Sequence, residues 1–128
     1  MTGYPGGGWG DPRRVVRFER EGEMPDGYDL IRLAIMTRAQ VFATYRGHPR
    51  EMCPHVIGTK HGQKHALFYQ FAGSSRSGLG PVGSPNNWRC VHIDELREIA
   101  LHKGPWHTAP HNTRTQSCVD EIDLEVNS

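Results

Sequence analysis

Cysteine and histidine are the residues of this sequence best suited to chemistry, and they recur in one short pattern. Three cysteines and eight histidines occur among 128 residues. Cys53-Pro-His55 and Cys90-Val-His92 share a spacing that places both side chains on one face of a strand. On neighbouring strands the two pairs would supply a Cys₂His₂ set, which is a tetrahedral ligand set of zinc. Cys-x₂-Cys spacing is absent, so isolated thiols and imidazoles are the alternative interpretation.

A cysteine nucleophile is the second chemical possibility. Cys118 has Asp120 two residues away and His111 upstream, which are the residue types of a Cys–His pair. No predicted helix N-terminus lies there to lower the pKa of the thiol. The sequence also lacks a P-loop, a dinucleotide fingerprint, HExxH and GxSxG. We therefore expect a non-enzymatic protein without a cofactor.

Overall charge and hydrophobicity restrict the partners and the location. Fifteen basic residues against fourteen acidic ones leave a net charge of +1, which argues against broad electrostatic wrapping of nucleic acid or anionic membrane. No apolar run is long enough to span a bilayer, and the N-terminus has no apolar signal region. The odd cysteine count then predicts reduced, mostly buried thiols and a cytoplasmic location without a membrane partner.

Local patterns predict the elements that must position these side chains. The Gly- and Pro-rich stretch 1–12 is predicted to be a flexible tail, and 13–128 to be a single domain. A helix is predicted over about 27–38, because apolar residues there follow a helical stripe and Asp26 is a suitable N-cap. Strands are predicted from alternation and composition at 13–21, 40–46, 51–58, 64–72, 88–93 and 119–126.

Three segments of the sequence depart from the regular helix and strand patterns. Pro54 confines its strand to a sheet edge or a bulge, because proline cannot donate a ladder hydrogen bond. The composition of 73–87 predicts a long flexible loop. The segment 94–101 fits either a helix or a strand, since it alternates poorly.

Together these elements predict a β-rich α+β fold. One N-terminal helix would pack on a small, strongly curved antiparallel sheet or on an SH3/Sm-like barrel. In that arrangement the stretch ending at Leu96 lies beside the one beginning near Val41, within a single sheet.

The order of residues in 30–101 resembles a WYL domain. Ala34-Ile35 would end the first helix, 41–45 would be the tyrosine-bearing strand, and Arg50 and Pro54 would open the next strand. The late family signature is matched in layout by Arg89-Cys90-Val91-His92-Ile93-Asp94-Glu95-Leu96. The name-giving Trp-Tyr-Leu triplet falls on His65-Ala66-Leu67, and two later arginines of the signature are His92 and Glu95.

This resemblance implies an SH3/Sm-like barrel and a ligand-sensing or regulatory role. The matching polar positions are Arg50, Arg89 and His92, with Tyr45 as a residue that could stack on a base. Guanidinium groups suit phosphate, and aromatic faces hold unstacked bases. We therefore expect a small anionic ligand, a nucleotide or single-stranded nucleic acid, bound more strongly at acidic pH as His92 becomes charged.

Two other functions stay open at this stage. The alternating segments 13–21 and 119–126 could join copies of the chain by strand addition, giving a homodimer or larger homo-oligomer. A metal-binding protein using Cys53, His55, Cys90 and His92 is the third hypothesis.

Overall fold

The structure is a computed structural model that describes residues 15–16, 26–110 and 117–126, with backbone only at 15–16. Several expectations fall outside these ranges. They are the flexible tail 1–12, the outer parts of the strand expected at 13–21, and the histidine of the proposed nucleophile, His111.

The predicted helix is present as α1, Gly27–Thr37, and it begins where the sequence indicated. The side chain of Asp26 accepts a hydrogen bond from the backbone N–H of Asp29, which satisfies one of the free donors of the first turn. The helix ends at Arg38, which adopts a left-handed conformation with φ 55°. Its buried stripe packs on the sheet and consists of Leu30, Ile31, Ala34 and Ile35.

The described residues form seven antiparallel strands, one before α1 and six after it: β1 Val15–Val16, β2 Gln40–Tyr45, β3 His48–Lys60, β4 Gln63–Gly73, β5 Trp88–His92, β6 Leu96–His102 and β7 Glu121–Glu125. They form one open sheet of order β1-β6-β2-β3-β4-β5, and β7 pairs with β3. The α+β, β-rich class is therefore confirmed. Tyr45 pairs with Leu96 and Val41 with Leu101, which confirms the expected adjacency of these two segments.

The ambiguous segment 94–101 is mostly strand. One turn of 3-10 helix, Ile93–Glu95, reverses the chain between β5 and β6, and β6 begins at Leu96. Apolar and polar residues alternate poorly in β6 because its pairing with β2 shifts register between Phe42 and Thr44, which leaves the two buried residues, Leu96 and Leu101, five positions apart.

Pro54 lies at a bulge in an interior strand. On one side of β3, the pairing with β2 ends at Met52 and the pairing with β7 begins at Val56. Pro54 falls in the gap between them, where no neighbour requires an N–H donor. The ladder from β3 to β4 also shifts register between Pro54 and Val56, so the predicted bulge is confirmed.

Both terminal segments that could have joined copies of the chain are used within the chain. The described part of the first, β1, pairs with β6, and β7 pairs with β3. The main core lies between α1 and the sheet, and it includes the fully buried side chains of Ile31, Val41, Met52, Phe68 and Val91. Among the described residues no helix is both long and apolar enough to cross a membrane.

A polar contact joins α1 to β7 and affects the pKa of Tyr28. The Tyr28 hydroxyl donates to Asp123 over 2.7 Å, and Arg32 pairs with the same carboxylate at 3.1 Å. Burial, followed by the hydrogen bond to Asp123, raises the pKa of Tyr28 to about 12. Because the protonated phenol is favoured, this contribution to stability is present below the ordinary pKa and is lost as pH rises through 12.

We expect Asp123→Asn to lower the pKa of Tyr28 while leaving it above its ordinary value, because burial is the larger cause. An alkaline pH titration of the Tyr28 ¹³Cζ resonance measures this. Asp120→Asn is the control, since this exposed carboxylate makes no contact with the ring. An unchanged Tyr28 pKa in Asp123→Asn contradicts the prediction.

Candidate anion-binding site

Three of the four residues expected to bind a ligand lie together on the face of the sheet that carries the core. The Arg50 guanidinium lies 5.0 Å from the centroid of the Tyr45 ring, on the adjacent strand. Arg89 lies opposite Phe68, two residues from Gln70, whose side chain contacts Arg50. Arg89 is also close enough to Arg50 to lower its pKa. The sheet thus brings Tyr45, Arg50 and Arg89 into one cluster.

Arg50 is an almost completely buried cation, with 6% of its surface exposed. Its Nη1 donates a long hydrogen bond of 3.4 Å to Gln70 Oε1, and its buried Nε has no hydrogen-bond partner in the described part of the chain. Burial lowers the pKa of Arg50, and the neighbouring Arg89 cation lowers it further.

Arg89 combines a structural role with a second positive charge. Its Nη2 donates to the Gly78 carbonyl at 2.7 Å, and its Nη1 donates to the Asn86 and Trp88 carbonyls at 2.7 and 3.1 Å. Its buried Nε has no hydrogen-bond partner among the residues described. Burial lowers the pKa of this guanidinium too.

Neither Arg50 nor Arg89 forms a salt bridge within the described ranges, in contrast to a neighbouring arginine. Arg46 also lies 5.0 Å from the Tyr45 ring, but it is exposed and pairs with Glu95 at 2.8 Å. The buried Arg50 cation and the half-buried Arg89 cation lie near each other without a carboxylate partner in the described ranges, and together they form a site of positive potential suited to an anion.

Tyr45 positions this cluster and does not present a free stacking face. Only 5% of the residue is exposed, and two guanidinium groups lie over its ring. Its hydroxyl accepts a hydrogen bond of 3.1 Å from the backbone N–H of His92. The expected stacking of a base on Tyr45 therefore has no surface available in this structure.

The His92 side chain does not join the arginines. Arg89 and His92 are three residues apart in a strand whose register with β4 is continuous, so their side chains project from opposite faces. The His92 ring instead lies against His65, with ring centroids 4.1 Å apart. His92 reaches the site only through its backbone, which corrects the expectation that its imidazole would add charge beside the arginines.

The Cys₂His₂ set is not assembled, for two reasons. Cys53 lies on β3 and Cys90 on β5, and β4 separates these strands. Cys90 also forms a disulfide with Cys118, so neither sulfur is a thiolate. Within the described ranges there is no group of three or more His, Cys, Asp or Glu that could hold a metal ion.

The disulfide also corrects two further expectations about the cysteines. The odd count predicted three reduced thiols, but only Cys53 is free. Cys118 is not an available nucleophile because its sulfur is bonded to Cys90. The sequence contained no signal for this pairing, since the two residues are 28 positions apart and only the tertiary structure brings their Cα atoms to 5.5 Å.

Cys53 and His55 lie under the irregular segment 103–110, on the face of the sheet opposite the arginines. The His55 ring contacts Trp88 and Trp106, with centroids 4.8 and 5.0 Å away, and its Nε2 lies 3.1 Å from Thr108 Oγ1. Burial raises the pKa of the Cys53 thiol to about 11, so it remains a protonated and unreactive thiol at neutral pH.

Two buried amide side chains that we did not predict position the arginines. Gln70 is fully buried; its Nε2 donates to the Ala72 and Ser74 carbonyls, and its Oε1 accepts from Arg50. Asn87 is also fully buried; its Oδ1 accepts from the Gly80 N–H, and its Nδ2 donates to the Gly80 and Pro81 carbonyls. Buried amides carry no periodic signal, so only their contacts identify them.

The loop expected to be flexible is tied down by these and other bonds. Asn87 and Arg89 hold its first half, while the Tyr69 hydroxyl donates to the Ser84 carbonyl and accepts from the Gly83 N–H. The segment 74–87 thereby forms one wall beside Arg89.

Comparisons with known proteins identify no relative for this chain: no family model, no curated protein and no solved structure matches it.

Proposed function

We propose that this protein is a non-enzymatic binding module for a small anionic ligand, held by Arg50 and Arg89. The single observation that supports this is the buried Arg50 guanidinium, which lies near the half-buried Arg89 cation and has no carboxylate partner in the described residues. Leaving buried charges unpaired costs several kcal/mol, roughly, and a bound anion offsets this cost.

A ligand-sensing role of the WYL type is consistent with the fold. WYL domains place an N-terminal helix on an SH3/Sm-like barrel. Here α1 packs on an open antiparallel sheet in which one 3-10 turn joins β5 to β6. Under this proposal the occupied site would relay its state to a partner, in a regulatory role.

A compact oxyanion is the favoured ligand, ahead of a nucleotide or single-stranded nucleic acid. Tyr45 is buried and its ring carries two guanidinium groups, so a base gains no stacking surface from it. Phosphate and carboxylate groups need only the guanidinium donors.

Homo-oligomerisation stays a prediction. So does a cytoplasmic location, although the disulfide removes the cysteine argument for it.

Thermal unfolding with and without inorganic phosphate, at constant ionic strength, tests the proposal. We expect phosphate to raise the free energy of unfolding of the wild type, by about 2.7 kcal/mol at a hundredfold excess over Kd. Adenosine monophosphate and a short oligothymidylate serve as parallel ligands. Tighter binding of either than of phosphate indicates that the base is read, and contradicts the oxyanion assignment.

Arg50→Met is the diagnostic variant. Without phosphate we expect it to be more stable than the wild type by about 1–3 kcal/mol, because it removes a buried cation repelled by Arg89. It should also lose the stabilisation by phosphate. If Arg50 serves only to pack on Tyr45, this substitution destabilises the protein instead and phosphate has no effect on either form.

Arg97→Met is the matched control, because it also removes one positive charge. Arg97 is exposed and donates to the backbone carbonyls of Asp94 and Leu96, as Arg89 does to its own loop. It should retain the full response to phosphate. An equal loss of response in both variants indicates non-specific charge screening and counts against the site.

A further inference from the structure

The disulfide joins an edge strand of the sheet to the C-terminal part of the described chain. Cys90 lies on β5, and Cys118 precedes β7, which pairs with β3. The bond closes a loop across a sequence separation of 28 residues. Closing such a loop restricts the chain before β7 forms, so the disulfide favours the docked position of β7.

The two sulfur atoms have very different environments. Cys90 is an exposed residue of β5. Cys118 is 5% exposed and packs with Val56, Val119 and Leu67 in a small cluster separate from the main core. An incoming thiolate therefore has access to the Cys90 sulfur but not to the Cys118 sulfur.

The side chains of β7 lie mostly at the surface. Its residues Glu121, Ile122, Asp123 and Glu125 are exposed, and Leu124 is only half-buried. The Arg32–Asp123 ion pair is also exposed, and such pairs contribute little. The segment is otherwise attached by backbone pairing with Val56–Thr59, by the Tyr28–Asp123 hydrogen bond, by bonds from Thr59 and Lys60, and by packing of Leu124 and Val126 on the core. None of these contacts is covalent, so removing the disulfide should weaken docking.

We propose that Cys90 is a thiol-exchange site and that attack at its sulfur releases the segment 117–126. A low-molecular-weight thiolate attacks Cys90 Sγ, forms a mixed disulfide there, and expels Cys118 as a thiolate that takes a proton from water. A second thiolate then attacks the external sulfur of the mixed disulfide, which yields an external disulfide and the Cys90 thiolate. Two external thiols are thereby oxidised and the protein disulfide is reduced.

Release of 117–126 takes Cys118 out of its buried position, where its sulfur lies 3.4 Å from the Ala66 carbonyl oxygen. Detachment of β7 exposes the edge of β3 at 56–59, which then offers unpaired backbone groups to another strand.

Glutathione treatment of the intact protein, followed by peptide mass spectrometry and hydrogen exchange, tests this proposal. We expect the glutathione adduct on Cys90, and faster exchange at the amides of Asp120 and Val126, which bond to β3 in the oxidised protein. From the stabilisation expected for a disulfide that closes a loop of this length, the rate of exchange at these amides should increase on the order of 10²-fold. An adduct confined to Cys118, or unchanged exchange after reduction, overturns the proposal.

The free cysteine provides an internal control for unfolding. Cys53 is buried beneath 103–110 and should resist alkylation when only the C-terminal segment is released. Labelling of Cys53 at the same rate as Cys118 indicates global unfolding and contradicts local release.

The variant Cys90→Ser lacks the disulfide, so its amides at Asp120 and Val126 should exchange fast without any added thiol. If they exchange as slowly as in the oxidised wild type, the proposal is wrong.

Discussion

Gly73→Ala is expected to destabilise the protein by roughly 2–5 kcal/mol, because it combines backbone strain with a steric overlap. Gly73 has φ +95°, and a Cβ at this position would lie within 3 Å of both the Pro49 carbonyl oxygen and the Arg50 Cα. The end of β4 therefore cannot approach the start of β3 unless residue 73 lacks a side chain. Chemical denaturation measures the loss in free energy of unfolding.

The effect should extend to the proposed anion site, because the same contact sets the backbone position of Arg50. Gly73→Ala should weaken stabilisation by phosphate even at temperatures where the variant is fully folded. Gly62→Ala is the matched control, since Gly62 has φ +77° and its added Cβ would meet no atom within 4 Å. This control should lose only about 1–2 kcal/mol, from strain alone. Equal losses in the two variants would show that the overlap at Gly73 has no energetic consequence.

Asn87→Leu is expected to lower the free energy of unfolding by about 2–4 kcal/mol and to release the loop 74–87. The Asn87 Oδ1 accepts from the Gly80 N–H at 2.8 Å, and its Nδ2 donates to the Gly80 and Pro81 carbonyls at 2.9 and 3.1 Å. Leucine has a similar volume but makes none of these hydrogen bonds. The Gly80 N–H and the Gly80 and Pro81 carbonyls would therefore lose their partner and have to be hydrated instead. Denaturation and limited proteolysis within the loop measure the two effects.

The adjacent asparagine is a suitable control for Asn87→Leu. Asn86 is exposed, and its bonds to Ser84 Oγ and from Arg89 Nη1 use its backbone N–H and carbonyl, which the substitution leaves in place. Asn86→Leu should therefore change stability by less than about 0.5 kcal/mol. Because Arg89 donates to the Gly78 carbonyl in the same loop, Asn87→Leu should also reduce the response to phosphate. Resistance of Asn87→Leu to both denaturant and protease would refute the assigned role.

Regular local patterns predicted most of the secondary structure. The apolar stripe and the Asp26 cap placed α1 within one residue of its observed bounds, because both signals act within a single turn. The alternation of apolar and polar residues located β2, β4 and β5 to within about one residue, as expected for strands with one buried face. β3 extends beyond its expected bounds on both sides, because a different strand pairs with each half.

The loop at 73–87 shows where composition was misleading. Its Gly, Ser and Pro content predicts flexibility, but the segment is held by side chains from outside it, including Tyr69 and Arg89. Flexibility depends on such partners as much as on the intrinsic freedom of the residues. A single sequence does not show which distant side chains will reach a loop.

The sequence by itself determined the helix, the positions of most strands along the chain and the residue types available to bind an anion, because each depends on short-range periodicity or on composition. Only the tertiary structure decided that Arg50 meets Arg89, that His92 faces away, and that Cys90 bonds to Cys118. These outcomes depend on strand register and on which strands are neighbours. A strand's two faces exchange with a shift of one residue, so long-range pairing selects the side chains that converge.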